Sequence, residues 1–412
     1  MTFKKQLLSV VAASAVLLQV AAPIALASTT ITISGNGEQS NNTTNVATTN
    51  TTTVQQSNTA EVTNTVKANA ESGDNSASGN TGGNVLVNSG ASTVDTHVTN
   101  ALNSNAAQVN CNCGTGNTDV TVKNNGEKSD NSVGLAQTNA NNLVQQNAAE
   151  VSNNITAKAD SGDNSAVSNT GGNTQVIAGA ATVTADVVTT ANANVAQIGG
   201  LGAGSHNMVS ALISGNGENS DNDVNLALTN ANNIWQANEA SVENNVTAKA
   251  ESGDNSASGN TGGHVLVGSH DASAEANVDN MVNFNSANLN CGCVTDLAAE
   301  VSGNGENSSN DLGAALTGTN GVYQGGEENG NSALLDNYVA PKADSGDNSA
   351  ISNTNGGTLG GDPSVISGAS DSSSSVSNSG NVNVFGTPLE LPGNFDFNFS
   401  FDFNSLFGHM GL

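Results

Sequence analysis

The side chains of this 412-residue chain best suited to chemistry are few, and most of them recur. Two Cys-x-Cys pairs, Cys111/Cys113 and Cys291/Cys293, would each present both thiols on one face of a strand, because alternate strand residues share a face. Disulfides are the expected use of the four cysteines in an oxidising compartment. The rivals are a four-thiolate metal site and links between molecules. The metal site is disfavoured because thiolate ligands usually stand two to four residues apart and no His is fixed nearby. The pairing stays open. Acidic residues repeat around four Ser-Gly-Asp-Asn turns, as Glu71/Asp74, Asp160/Asp163, Glu251/Asp254 and Asp344/Asp347, and Asp221 and Asp223 flank Asn222. Oxygen-rich turns can hold Ca2+. Neither an EF-hand nor a Gly-Gly-x-Gly-x-Asp nonapeptide is present, so solvated turn residues that cap the backbone are the preferred reading and no cofactor is expected.

Lys158, Lys249 and Lys342 each precede the glycine of such a turn by four residues. They read as outward lysines beside acidic neighbours; an isopeptide crosslink to Asn would require a buried Lys, which is rare. His97, His206, His264, His270 and His409 occupy no common repeat position, and neither a nucleophile elbow nor a paired metal-binding His occurs. With one Trp and two Tyr there is little aromatic platform for a sugar-cleaving cleft. We therefore expect no enzyme.

The elements that carry these residues are announced by an export signal and an array of repeats. Lys4 and Lys5, the apolar run from Leu7 to Leu18, and Ala25-Leu26-Ala27 read as a cleavable signal peptide over residues 1–27. The apolar run is too short to span a bilayer, and no later run approaches the roughly 20 residues a membrane helix needs. Six of eight lysines and all 36 acidic residues follow the signal, there is no Arg, and the mature chain carries a net charge of −30. Nucleic acid is thereby an unsuitable partner. Val, Leu, Ile and Phe make up about 19% of the mature chain, near the border below which acidic chains stay disordered. Asn is the commonest polar residue, so backbone and amide hydrogen bonds must supplement thin apolar cores.

Residues 70–83 recur identically at 250–263, Ser34–Glu38 recurs at Ser214–Glu218, and the Cys pairs recur at the same 180-residue offset. Each unit divides into halves of about 90 residues, because Asn-Gly-Glu returns at Asn125 and Asn304 and Ser-Gly-Asp-Asn at Ser161 and Ser345. The expected domains are repeat A (28–120), repeat B (121–210), repeat A′ (211–300), a degenerate capping repeat B′ (301–357), a flexible Ser/Gly/Pro linker (358–394) and a Phe-rich C-terminal strand (395–412). Aliphatics from 224 to 250 all fall on even positions (Val224, Leu226, Leu228, Ile234, Val242, Val246), as do Val46, Val54, Val62 and Val66. Period two means strands. A single strand over the whole of that stretch would be abnormally long, so a break is expected near Asn230–Asn233. Asn-Gly, Ser-Gly-Asp-Asn and Asn-Thr-Gly-Gly supply positive-φ turns.

The inner row also carries amides at matching places: Gln56, Asn58 and Asn64; Gln145, Asn147 and Asn153; Gln236, Asn238 and Asn244. Stacked like on like, such amides can bond as ladders. In this row the chain resembles the Gln/Asn-laddered, curlin-type secreted fibre repeats, and more loosely the Asn/Thr/Gly-rich secreted repeat proteins of bacteria. The resemblance implies an extracellular β fibre, although the period here far exceeds a curlin repeat. The reading is an all-β solenoid or stacked β array, secreted to the extracellular space or cell surface, with self-association or surface components as partners. Its rivals are an adhesin for carbohydrate and a largely disordered secreted polymer. Phe395, Phe397, Phe399, Phe401 and Phe403 alternate with polar residues and are expected to form one assembly strand.

Overall fold

A computed structural model describes residues 6–17, 29–109, 117–199, 206–290, 294–325, 330–354 and 363–386. Strand β1 (Gln6–Leu17) is followed by four turns of a solenoid. The first coil holds β2 (Thr29–Ser34), β3 (Asn41–Glu71), β4 (Ser76–Ser78), β5 (Val85–Asn88) and β6 (Ser92–Val109). The second holds β7 (Thr118–Lys123), β8 (Asp130–Asp160), β9 (Ser165–Val167), β10 (Thr174–Ile177) and β11 (Ala181–Ile198). The third holds β12 (His206–Ser214), β13 (Asp221–Glu251), β14 (Ser256–Ser258), β15 (Val265–Gly268) and β16 (Ala272–Leu289). The fourth holds β17 (Val294–Ser302), β18 (Ser309–Gln324), β19 (Ser332–Asp344), β20 (Ser349–Ile351), β21 (Ser364–Ile366) and β22 (Ser370–Phe385). The fold is an all-β, repetitive parallel solenoid, as the period-two pattern requires.

Five parallel sheets run along the stack, ordered β2-β7-β12-β17, β3-β8-β13-β18 (with β19 also on β13), β4-β9-β14-β20, β5-β10-β15-β21 and β1-β6-β11-β16-β22. Asn64 lies over Asn153 and Asn153 over Asn244, so the steps of 89 and 91 residues account for the 180-residue offset. Each coil is flattened. The long wall of β3, β8 and β13 faces the β2-type strands along its first part, where Ile31 and Ile33 cluster with Val133 and Leu135. Farther along it faces the β6-type strands, where Val66 and Ala68 cluster with Val94 and Val98. Ala166, Val176 and Val267 fill the narrow closing end. The core is thus a series of small Val/Ala/Ile/Leu clusters, each repeated coil upon coil.

Three expectations are corrected. β13 runs unbroken through Asn230–Asn233, because every residue of it is in register with β8 and its inward parity continues from Val224 to Val246. The long wall divides only in the fourth coil, between β18 and β19. Second, residues 358–394 are not a linker throughout: Ser364–Ile366 and Ser370–Phe385 complete the fourth coil in register with β15 and β16. A serine run can do this because the ladder bonds are backbone bonds, and Val376, Asn378, Asn381 and Asn383 still lie beside Val278, Asn280, Asn283 and Asn285.

Third, glycine serves a different purpose in two of the turns. Positive φ falls on Asp74, Asp163, Asp254 and Asp347 in the Ser-Gly-Asp-Asn turns, and on Gly35 and Gln39 around Asn36-Gly37. Gly73, Gly162 and Gly253 have no such φ; a Cβ on any of them would overlap the carbonyl of the glycine one coil on. Those glycines admit close backbone stacking. Of the three motifs, Asn-Thr-Gly-Gly is the one that places its own glycines at positive φ, as at Gly82 and Gly83.

Asn103, Asn192, Asn283 and Asn381 sit at φ of 54° to 63° and bulge the β6-type strands, which reverses the inward parity beyond them. Within the segment read as an export signal, β1 lies parallel on the free edge of β6, and its register skips between Ala13 and Ala15 opposite that bulge.

Candidate functional site

The interior amide columns are where the repeated residues converge. All three predicted glutamines stack: Gln145 Nε2 donates to Gln56 Oε1 (2.7 Å) and Gln236 Nε2 to Gln145 Oε1 (2.9 Å). The second amide hydrogen of each goes across the coil, to the carbonyls of Val195 and Ser286 at 3.0 Å. Gln324 continues the column in the fourth coil.

The predicted asparagines are half of a double column. Asn64 Nδ2 donates to Asn153 Oδ1 one coil on and to Asn100 Oδ1 on the facing sheet, both at 2.8 Å. Asn153 donates to Asn244 (2.7 Å), and Asn244 to Asn337 (2.7 Å) and Asn280 (3.2 Å). A second zigzag links Asn58, Asn105, Asn147, Asn194, Asn238 and Asn285 at 2.8 to 2.9 Å. The facing partners in β6, β11 and β16 were missed by sequence reasoning. Their signal is Asn-x-x-Asn-x-Asn, which stands at Asn100, Asn103 and Asn105, returns at Asn280, Asn283 and Asn285, and returns again at Asn378, Asn381 and Asn383. Single columns also line the turns, such as Asn36, Asn125, Asn216 and Asn304, where each Nδ2 donates to the next Oδ1.

Each interior bond adds about 1 kcal/mol net, whereas a buried amide left unpaired costs about 1–3 kcal/mol. The columns therefore hold each coil in one register against the next. They arrange no nucleophile and no proton carrier.

The acidic turns are built as capped, partly neutralised corners. Asp160 accepts from the Gly162 backbone N–H (3.0 Å) and from Lys158 Nζ (2.9 Å), and Lys158 reaches Glu251 of the next coil at 3.4 Å. Lys249 pairs with Glu251, and Lys342 lies 3.4 Å from Asp344. The Lys158 ammonium is held above its ordinary value by its hydrogen bond to Asp160, against the effect of burial. Burial raises the Asp163 carboxyl first, with Asp160, Asp254 and Asp74 adding to it; burial and Asp347 do the same to Asp254. Among the described residues no group of three or more His, Cys, Asp or Glu side chains is placed to hold a metal ion. His97 lies 3.0 Å from both Asp95 and Asp186 on the exposed outer face of β6 and β11. Cys111, Cys113, Cys291, Cys293 and the row from Phe395 to Phe403 lie outside the described residues.

Two outcomes follow from this geometry. Asn141 Nδ2 donates to Asn232 (2.9 Å), but its own buried Oδ1 has no donor, because the first coil places Thr52 there. Thr52→Asn should supply that donor and stabilise the protein by about 1 kcal/mol, read as a raised thermal midpoint; an unchanged or lowered midpoint would refute the ladder account. The folded chain holds the protons of Asp163 and Asp254 more tightly than the unfolded chain does. Their contribution to stability therefore grows as pH falls through the raised values towards 3.8 and is lost as pH rises again. Asp163→Asn with Asp254→Asn, which suits the left-handed backbone there, should melt higher than the natural protein at pH 7, and this gap should close near pH 4. Comparison with protein-family models, with curated proteins and with solved structures finds no match.

Proposed function

We propose that this chain is an exported, non-catalytic structural element of the cell surface or extracellular matrix, a β-solenoid that associates with itself. The observation that supports it best is the set of amide columns running unbroken from the first coil to the fourth. Such columns consume the interior that a catalytic or ligand pocket would need, and they rigidify the molecule along one axis. The signal-like residues 1–27, the absence of Arg and the acidic, amide-rich surface agree with a life outside the cell. The shallow groove of about 610 Å3 over Asn45, Gly134, Asn225 and Gly313 is lined by amides, small apolar side chains and backbone, with no titratable group.

In the cells that make it, the protein should be recovered outside the membrane with Ser28 as its first residue, and electron microscopy of that material should show elongated assemblies. A protein that stays inside with its N-terminus intact, or that is monomeric at every concentration, would overturn the reading.

One observation favours a second reading, an adhesin for carbohydrate. Trp235 and Tyr323 stand on the outer face of the long wall, 43% and 58% exposed, with ring centroids 6.4 Å apart and planes at 47°. Exposed aromatic faces suit sugar rings, which present an apolar face of their own. Polysaccharide binding that is lost with Trp235→Ala while assembly is kept would select this reading; equal binding by the variant would remove it.

A further inference from the structure

The two ends of the solenoid differ in a way that names their partner. We propose that the first-coil end of one molecule docks on the fourth-coil end of a second copy, head to tail, so that the columns pass from molecule to molecule. This deepens the structural reading above and rests on it.

The glycine columns carry the argument. A Cβ on Gly126, Gly217 or Gly305 would collide with backbone of the preceding coil, and one on Gly73, Gly162 or Gly253 with the following coil. The first column ends at Gly37, which points beyond the first coil, and the second ends at Gly346, which points beyond the fourth. Among the described residues, a Cβ on Gly37 would have nothing within 4 Å and one on Gly346 only Asp344 Oδ1 at 3.5 Å, and neither glycine has a positive φ. Within one molecule, neither position requires glycine. A further coil stacked on either end would require it, for the reason that holds in the interior.

The polar groups at the two ends are complementary. The asparagines of three turn columns, those that begin at Asn36, Asn75 and Asn80, donate towards the fourth coil, as Asn80 to Asn169, Asn169 to Asn260 and Asn260 to Asn353 (2.7 to 2.9 Å). Asn260 uses its other hydrogen on the Ala166 carbonyl, and Asn353 uses one on the Ala257 carbonyl. The fourth-coil end thus offers amide hydrogens and the first-coil end offers the Oδ1 atoms of Asn36, Asn75 and Asn80. Charge follows the same polarity. Lys158 bridges forward to Glu251; Lys342 occupies the equivalent place in the last coil, and the next acid forward would be Glu71 of the second copy. The edge of β6 accepts a parallel strand, since β1 occupies it. Once the signal-like segment is removed, that place falls to β22 of the neighbour.

The test uses the full chain, expressed for export and purified, with sedimentation velocity and negative-stain microscopy as readouts. The natural protein and the control Gly318→Ala, whose Cβ meets nothing within 4 Å, should form filaments with a molecular repeat of about 19 Å, four coils at ~4.8 Å. Gly37→Ala and Gly346→Ala should keep the natural circular dichroism and melting midpoint and lose at least tenfold of the sedimenting material. Mixed in equal amounts, these two should yield dimers and nothing longer, because each retains one intact end. Filaments from both variants at the natural level would overturn end-on docking and leave self-association to another surface, such as the Phe395–Phe403 row. A natural protein that never assembles would overturn both this proposal and the structural reading.

Discussion

Parallel backbone pairing sets the coils about 4.8 Å apart and places almost every residue directly over its counterpart. That translation decides which side chains can be buried. A carboxylate or an ammonium repeated at this interval repels its own copies. An aliphatic tolerates the repeat but contributes nothing directional. A primary amide has a donor on one side and an acceptor on the other, so translation by one coil brings Nδ2 of one Asn onto Oδ1 of the next, as Asn64, Asn153 and Asn244 do. Asn and Gln are thus polar residues that this geometry admits to the interior in rows, beside rows of small Ser such as Ser161, Ser252 and Ser345. The Val and Ala clusters lie between those rows.

The division of labour follows from what each kind of row resists. A slip of one residue along the strands would move Val246 from the interior to the outer face and also break every amide pair. A mismatch of the apolar rows alone would cost only partial burial, because Ala and Val are small and similar. The amide columns therefore fix register, and the apolar clusters supply most of the favourable burial. Charge is kept to the corners, where Lys158 and Lys249 stand among the stacked carboxylates, and to the outer faces, where Asp95 and Asp186 flank His97.

Strand identity was legible in the sequence because inward parity is kept along the whole of β13, from Asn222 through Val224 to Ala250. The nine amides read as a ladder do stack, since a row is visible wherever the same residue types return at one offset. The facing row was obscured by the bulge at Asn103, which shifts parity in mid-strand and hides Asn100 and Asn105 from a search at period two. The break expected near Asn230 came from the usual length of strands in isolated sheets; continuous pairing of β8 with β3 on one edge and with β13 on the other removes that limit. The serine run after Ser370 resembled a linker because serine is common in linkers, whereas a terminal coil needs little more than backbone and a few inward Asn and Val residues. The glycines of Asn-Gly and Ser-Gly-Asp-Asn suggested turn conformation, although their requirement comes from a neighbour a whole coil away, which no local pattern can display.

The flattened coil has a mechanical consequence. Strand β3 alone runs for 31 residues. At a rise of about 3.3 Å per residue such a strand makes a wall about 100 Å long. Two facing sheets stand about 10 Å apart, and with their outer side chains they make a body roughly 20 Å thick. Resistance to flexure in a given plane rises with the cube of the depth in that plane. A body five times wider than it is thick is therefore about 25-fold stiffer edgewise than flatwise, given those spacings. Stacked along its axis, such a plate behaves as a leaf spring: compliant against forces normal to its broad faces, unyielding within their plane, and able to lie flat along a surface while resisting being turned sideways on it.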